Sequence, residues 1–157
     1  PWGLSVTEGP FALPPGKGER TVAIVDQVLA SHRVLIVEDE YFLASDLEDA
    51  LRSFGLKVCV LVGNLDEALD QVARGGFDVA IIDINLRGRE TLGIADQLRH
   101  EGIPFVFTTG YSAEVIPARF ADVTVWEKPF DVLKVAGDVV RLCNRTIRLI
   151  ETRTNAR

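Results

Sequence analysis

From Arg33 onward the hydrophobic pattern switches back and forth between two periods, and each switch marks an element. Arg33–Val37 (RVLIV), Leu56–Val62, Phe77–Ile84, Ile103–Thr108 and Val123–Trp126 are short, predominantly apolar runs rich in β-branched residues. Such runs, without polar alternation, are expected of strands buried on both faces of a parallel sheet. The segments between them show helical spacing. Tyr41–Phe54 aligns Phe42, Leu43, Leu47, Ala50, Leu51 and Phe54 on one face, with Gly55 as the stop. Asn64 caps a helix that runs to Arg74, with Leu65, Ala68, Leu69 and Val72 turned inward and Gly75-Gly76 at its end. Thr91–His100 is a helix closed by Gly102, residues 111–121 are short and irregular or weakly helical, and Val132 to about Thr152 is a long last helix.

Five strand-then-helix repeats predict an α/β fold with a parallel sheet and helices on both faces. Right-handed crossovers narrow this to a doubly wound five-stranded sheet, for which the flavodoxin-like order 2-1-3-4-5 is the common solution. Strands one and three are then neighbours, and ligands of open α/β sheets bind beyond the C-terminal ends of the strands. That edge receives Glu38 and Asp39 from strand one, Asp83 from strand three, Thr108-Thr109-Gly110 from strand four and Glu127-Lys128-Pro129 from strand five.

Composition changes this picture mainly at the N-terminus. The chain has 157 residues, enough for one domain plus an arm, and four of its seven prolines fall in residues 1–20. Residues 1–32 are therefore expected to be an arm or linker and 33–157 the domain, with its extended last helix. Within the arm, 21–30 (TVAIVDQVLA) has the makings of a short ordered strand or helix that contacts a partner or a second copy. A start at Pro1 rather than Met suggests a piece of a longer protein. The net charge of −6 argues against nucleic acid as a partner. No apolar run is long enough to span a bilayer and no signal peptide is visible. Cys59 and Cys143 lack metal-ligand spacing, so reduced thiols and a cytoplasmic setting are expected.

Three carboxylates brought together repel one another, and a hard divalent cation with oxygen ligands neutralises them most cheaply. Mg2+ is the expected ion, with Asp39 and Asp83 as direct ligands, Glu38 direct or through water, and the Asn85 backbone carbonyl as a further oxygen. Lys128 brings a positive charge and Thr109 a hydroxyl donor to the same place. Such a site suits transfer of a phosphoryl group to a carboxylate, and Asp83, central among these groups, is the expected nucleophile.

The segments VLIVEDE, VAIIDINL, FVFTTG and WEKPF occur in an order and at separations that resemble the receiver domain of two-component response regulators, from Arg33 to about Asn144. The resemblance implies Asp83 as phosphoacceptor, Glu38 and Asp39 as the acidic pair, Thr109 as the switch hydroxyl and Lys128 as the lysine of the site. It also implies a cis bond between Lys128 and Pro129, and a phosphohistidine donor on a histidine kinase or phosphotransfer protein. Receivers are not enzymes in the ordinary sense; slow self-phosphorylation and loss of the phosphoryl group is the turnover implied. The family commonly carries an aromatic residue on strand five that moves with the Thr, but Val125 holds that position here, beside Trp126. Phe107-Thr108-Thr109-Gly110-Tyr111 instead looks like the FATGY pattern of a receiver subclass, so Thr109, Gly110 and Tyr111 are the expected switch, through a rearrangement of 110–122.

Competing readings attach to several of these residues. Glu38-Asp39-Glu40 also fits the capped acidic first turn of a helix. Tyr111 fits a packed surface aromatic equally well. Arg87-Gly88-Arg89 reads as a solvated loop beside the site, or as a contact to a partner's phosphate. Gly110 is expected to allow a close backbone approach. Apolar positions Leu142, Ile147, Leu149 and Ile150 beyond the core suggest that the last helix, like the arm, supports a homodimer or a kinase contact. Two other functions stand beside the receiver: a docking-only pseudo-receiver, and a slow aspartyl-phosphate phosphatase, which is weakened because Asn85 stands where a second Asp is expected.

Overall fold

A computed structural model describes residues 29–110 and 116–155. The expected ordered element at 21–30 therefore lies outside the described residues except for its end, and so does Tyr111. At that end, Leu29 is buried against the domain, in the cluster that holds Leu51 and Leu56.

Five strands form one parallel sheet: β1 (Arg33–Val37), β2 (Lys57–Val62), β3 (Val79–Asp83), β4 (Phe105–Thr109) and β5 (Val125–Glu127), in spatial order β2-β1-β3-β4-β5. This is the flavodoxin-like order. β3 and β4 are buried at every residue and β1 at all but its first, which is why their sequences are unbroken apolar runs. Four helices cover the sheet: α1 (Tyr41–Ser53), α2 (Leu65–Arg74), α3 (Leu92–Glu101) and α4 (Val132–Asn155). Leu35, Ala80, Ile82 and Phe107 pack with α2 and α3, while Val34, Ile36, Ile81 and Val106 pack with α1 and α4. Adjacent residues of one strand thus feed opposite cores, as the pleat requires.

Local chemistry sets the helix ends. The Asn64 side chain accepts from the Glu67 N–H at 2.9 Å, capping α2 as its sequence predicts. Gly55 and Gly102 take left-handed φ of 83° and 72° just past α1 and α3, the backbone turn for which glycine is suited.

Three expectations change. Phe42 and Phe54 are 81% and 42% exposed, and Ala44 takes the inner position beside Leu47 and Leu51. α1 packs on both the sheet and α4, and a small side chain at 44 lets the backbones approach. Leu69 is likewise 40% exposed, leaving Ala68 and Val72 as the buried stripe of α2. Between β3 and α3 the chain forms a two-residue hairpin, Asn85–Leu86 paired with Arg89–Glu90, rather than a plain loop. Its turn residues Arg87 and Gly88 have φ of 52° and 83°. In the 111–121 segment, Ala118–Phe120 makes a single 3-10 turn.

Candidate phosphoryl-acceptor site

Register brings the strand ends together. Val37 pairs with Ile82, Asp83 with Thr108, and Thr109 with Glu127, so residues 38, 83, 109 and 128 leave the sheet at one edge. The Lys128 N–H donates to the Thr109 carbonyl at 2.8 Å, extending the β4–β5 pairing by one residue. The Lys128–Pro129 bond is cis, as the sequence resemblance implies.

Lys128 is the hub. Its Nζ donates to Asp83 Oδ2 at 2.7 Å, Glu40 Oε1 at 2.8 Å and Glu38 Oε1 at 3.0 Å, using all three ammonium hydrogens. Burial by itself would lower the Lys128 pKa; the hydrogen bonds from Asp83, Glu40 and Glu38 outweigh it and hold the ammonium above its ordinary range. Glu38 is 1% exposed, and burial raises its pKa against the opposing bonds from the Glu40 N–H and Lys128. Asp83 is 4% exposed and anchored on three sides. Its Oδ1 accepts from the Asn85 N–H at 3.0 Å, its Oδ2 from Lys128, and its carbonyl from the buried Thr91 hydroxyl at 2.6 Å.

Glu38, Asp39 and Asp83 can each present an oxygen within 4.8 Å of the others. Glu38 Oε2 is fully buried and lies 3.0 Å from the Lys128 ammonium, which Glu40 and Asp83 also share. One ammonium leaves these carboxylates short of positive charge, and a hard divalent cation supplies it. The donor set, all oxygen and all carboxylate, therefore fits Mg2+. These groups border an open cavity of about 440 Å³ lined by Asp39, Glu40, Asp83, Asn85, Arg87, Gly110 and Lys128.

Of the residues singled out in the sequence, Glu38, Asp39, Asp83, Asn85, Gly110 and Lys128 converge on this cavity or directly behind it. Thr109 is 2% exposed at the end of β4, on the same edge. A Cβ at Gly110 would meet nothing within 4 Å among the described residues, its φ is not left-handed, and the residue lines the cavity. Val125 packs with the α2/α3 core, while Trp126 lies on the α4 side and donates from Nε1 to Asp138 at 2.9 Å. Sequence reasoning missed two groups. Glu40 is a third carboxylate on Lys128, although it adjoins the acidic pair in sequence. Thr91 holds the Asp83 backbone from eight residues away, with no motif to announce it.

The family model for the response regulator receiver domain matches residues 34–133. The solution structure of SdrG from Sphingomonas melonis Fr1 is 39% identical, with a TM-score of 0.63, over 73% of this chain and 97% of that one. The BeF3-activated conformation of SdrG is 40% identical, with a TM-score of 0.60, over the same shares. Among curated proteins, the sensory transduction protein RegX3 of Mycolicibacterium smegmatis is 36% identical over 52% of this chain and 36% of its own length. The transcriptional activator protein PfeR of Pseudomonas aeruginosa is 34% identical over 64% of this chain and 33% of its own length. The chain thus spans about a third of the length of these two curated relatives.

Proposed function

This chain belongs to the response regulator receiver domain family, and from that premise we propose that it accepts a phosphoryl group on Asp83 from a phosphohistidine of a histidine kinase or phosphotransfer protein. The observation that carries the reading is Asp83 itself: a buried carboxylate at a strand end, fixed by Asn85 and Lys128, with two more acids within metal-sharing distance.

Glu38, Asp39, Asp83 and the Asn85 carbonyl would hold Mg2+, which would supply positive charge to offset the negative charge of the transferring phosphoryl group. The chain's own residues do the rest. The Asn85 N–H and Lys128 orient the Asp83 carboxylate before transfer. A lone pair of one carboxylate oxygen forms the new O–P bond as the P–N bond to the donor imidazole breaks, and the electron pair leaves with the imidazole. Lys128 then exchanges a carboxylate bond for a phosphoryl oxygen, because all its hydrogens are already in use. Thr109 donates its hydroxyl to another oxygen, and the surface at 85–90 and 109–128 changes. The FATGY-type switch of Thr109, Gly110 and Tyr111 belongs to this proposal, resting on the Phe107–Tyr111 sequence and on the valine at 125.

The test is intact mass after incubation with phosphoramidate and Mg2+. Wild type gains one phosphoryl mass and Asp83→Asn gains none. A wild type that stays unmodified while binding Mg2+ would sink the reading.

A further inference from the structure

The hairpin after β3 carries a cation at its turn that the proposed chemistry leaves unused. We infer that Arg87 is a second cation of this site: it faces Asp39 while the divalent ion is absent, and serves phosphoryl oxygens once the ion has taken Asp39. This rests on the receiver reading above.

The backbone argues first. Arg87 is the one non-glycine residue with positive φ among the described residues, at 52° in a turn where Asn or Gly is the usual occupant. Its surroundings hold it there. The Gly88 N–H donates to Asn85 Oδ1 at 2.7 Å, and the Asn85 N–H donates to Asp83 Oδ1. Arg89 binds Asp66 of α2 with both terminal nitrogens, at 3.0 and 3.2 Å. Thr91 ties the far strand of the hairpin back to the Asp83 carbonyl. The turn is thereby braced to the phosphoacceptor on one side and to α2 on the other, and it presents Arg87 on the cavity lining.

Charge and exposure argue second. Four carboxylates (Glu38, Asp39, Glu40 and Asp83) face two cations, Lys128 and Arg87. Lys128 is bound three times over by carboxylates. Arg87 Nε stands 4.0 Å from Asp39 Oδ2, beyond hydrogen-bond distance, and its side chain is 71% exposed. Such a loose pair is exchanged at little cost. Arg87 is therefore the cation on this lining that can turn to an incoming anion without giving up a hydrogen bond to a carboxylate. Its planar fork matches two phosphoryl oxygens, which a point-charge ammonium does not. While it faces Asp39 it also opposes the divalent ion, since like charges a few ångströms apart repel.

The two roles predict effects of opposite sign, which a merely structural residue would not give. The experiment compares the full chain as wild type, Arg87→Asn and Arg87→Lys. Asn tolerates the left-handed turn and removes the charge, while Lys keeps it. Mg2+ affinity is read by calorimetry. Beryllofluoride is then titrated at saturating Mg2+ and followed by amide shifts of residues 83–88. Arg87→Asn is expected to bind Mg2+ about threefold more tightly and to need about fivefold more beryllofluoride for half-saturation. Both differences shrink at high salt, and Arg87→Lys stays within about twofold of wild type for Mg2+. An Arg87→Asn protein that binds Mg2+ no more tightly, or beryllofluoride no more weakly, than wild type overturns the role of Arg87 while leaving Asp83 as acceptor. A wild type that takes up neither ligand overturns the receiver reading and this role with it.

Discussion

Two regions of this molecule use the same carboxylates and cations to opposite ends. At the C-terminal edge of the sheet, Glu38, Glu40 and Asp83 crowd onto the ammonium of Lys128, with both oxygens of the buried Glu38 3.0 Å from it. At the flank where α3 meets the 118–120 turn, the pairing is one to one: Arg99 with Asp122 at 2.7 Å and Arg119 with Asp96 at 2.9 Å, all in contact with water. Phe120 lies beneath them, 1% exposed, with the Arg99 and Arg119 guanidiniums 5.1 and 4.7 Å from its ring centre. It meets Phe107 edge to face at 5.3 Å. The difference teaches what each region is for. The flank is complete, so its charges hold a turn in place and invite nothing further. The edge is over-supplied with negative charge around the buried Glu38 and Asp83, where an imbalance is costly and a bound cation relieves it.

The comparison is broken most severely by removing the ring under the flank. Phe120→Ala takes away the contact to Phe105 and Phe107, and a loss of about 3–4 kcal/mol is expected in urea unfolding. A loss under about 1 kcal/mol would mean that the ion pairs above it, rather than the ring, hold the turn.

Next comes Lys128→Met, which leaves the buried Glu38 and Asp83 without their cation. A loss of about 2–3 kcal/mol is expected without Mg2+, with part of it returned by adding Mg2+. If Mg2+ returns nothing, the edge is not the charge-imbalanced region described above.

The smallest effect is expected at the flank ion pairs. The hydrogen bond from Arg119 holds the Asp96 pKa below its ordinary value, and that from Arg99 does the same for Asp122. A depressed folded-state pKa gives stability that is present above the ordinary Asp value of about 3.9 and lost as pH falls through the folded one. Both groups are exposed and their partners solvated, so Asp96→Asn should alter thermal stability at pH 7 only marginally. Any difference from wild type should disappear as the pH drops below that range. A large change at neutral pH would place the flank beside the edge in importance.

Much of the edge was legible in sequence because parallel strands that are buried on both faces are continuous apolar runs, and the residues that end such runs must leave the sheet together. Glu38, Asp39, Asp83 and Lys128 follow from that alone, and their convergence needed only the strand order. The faces of the helices were less legible. In α1 two overlapping stripes share Leu47, Ala50 and Leu51, one extended by Phe42 and Phe54 and one by Ala44. Periodicity weighs them equally and favours the bulkier one. The structure buries the smaller, because contact with both the sheet and α4 rewards close approach, and Phe42 instead meets Tyr41 edge to face at 5.6 Å.

The sequence by itself determined the element order, the parallel sheet and the acids and lysine at its edge, since those depend on local period and on rules of chain connection. Tertiary structure alone decided that Lys128 divides itself among three carboxylates, that Glu38 is buried against its ammonium, and that a hairpin aims Arg87 at the cavity. Those facts depend on distances between segments far apart in sequence, set when the two cores pack and the strand registers lock, and no local pattern records them.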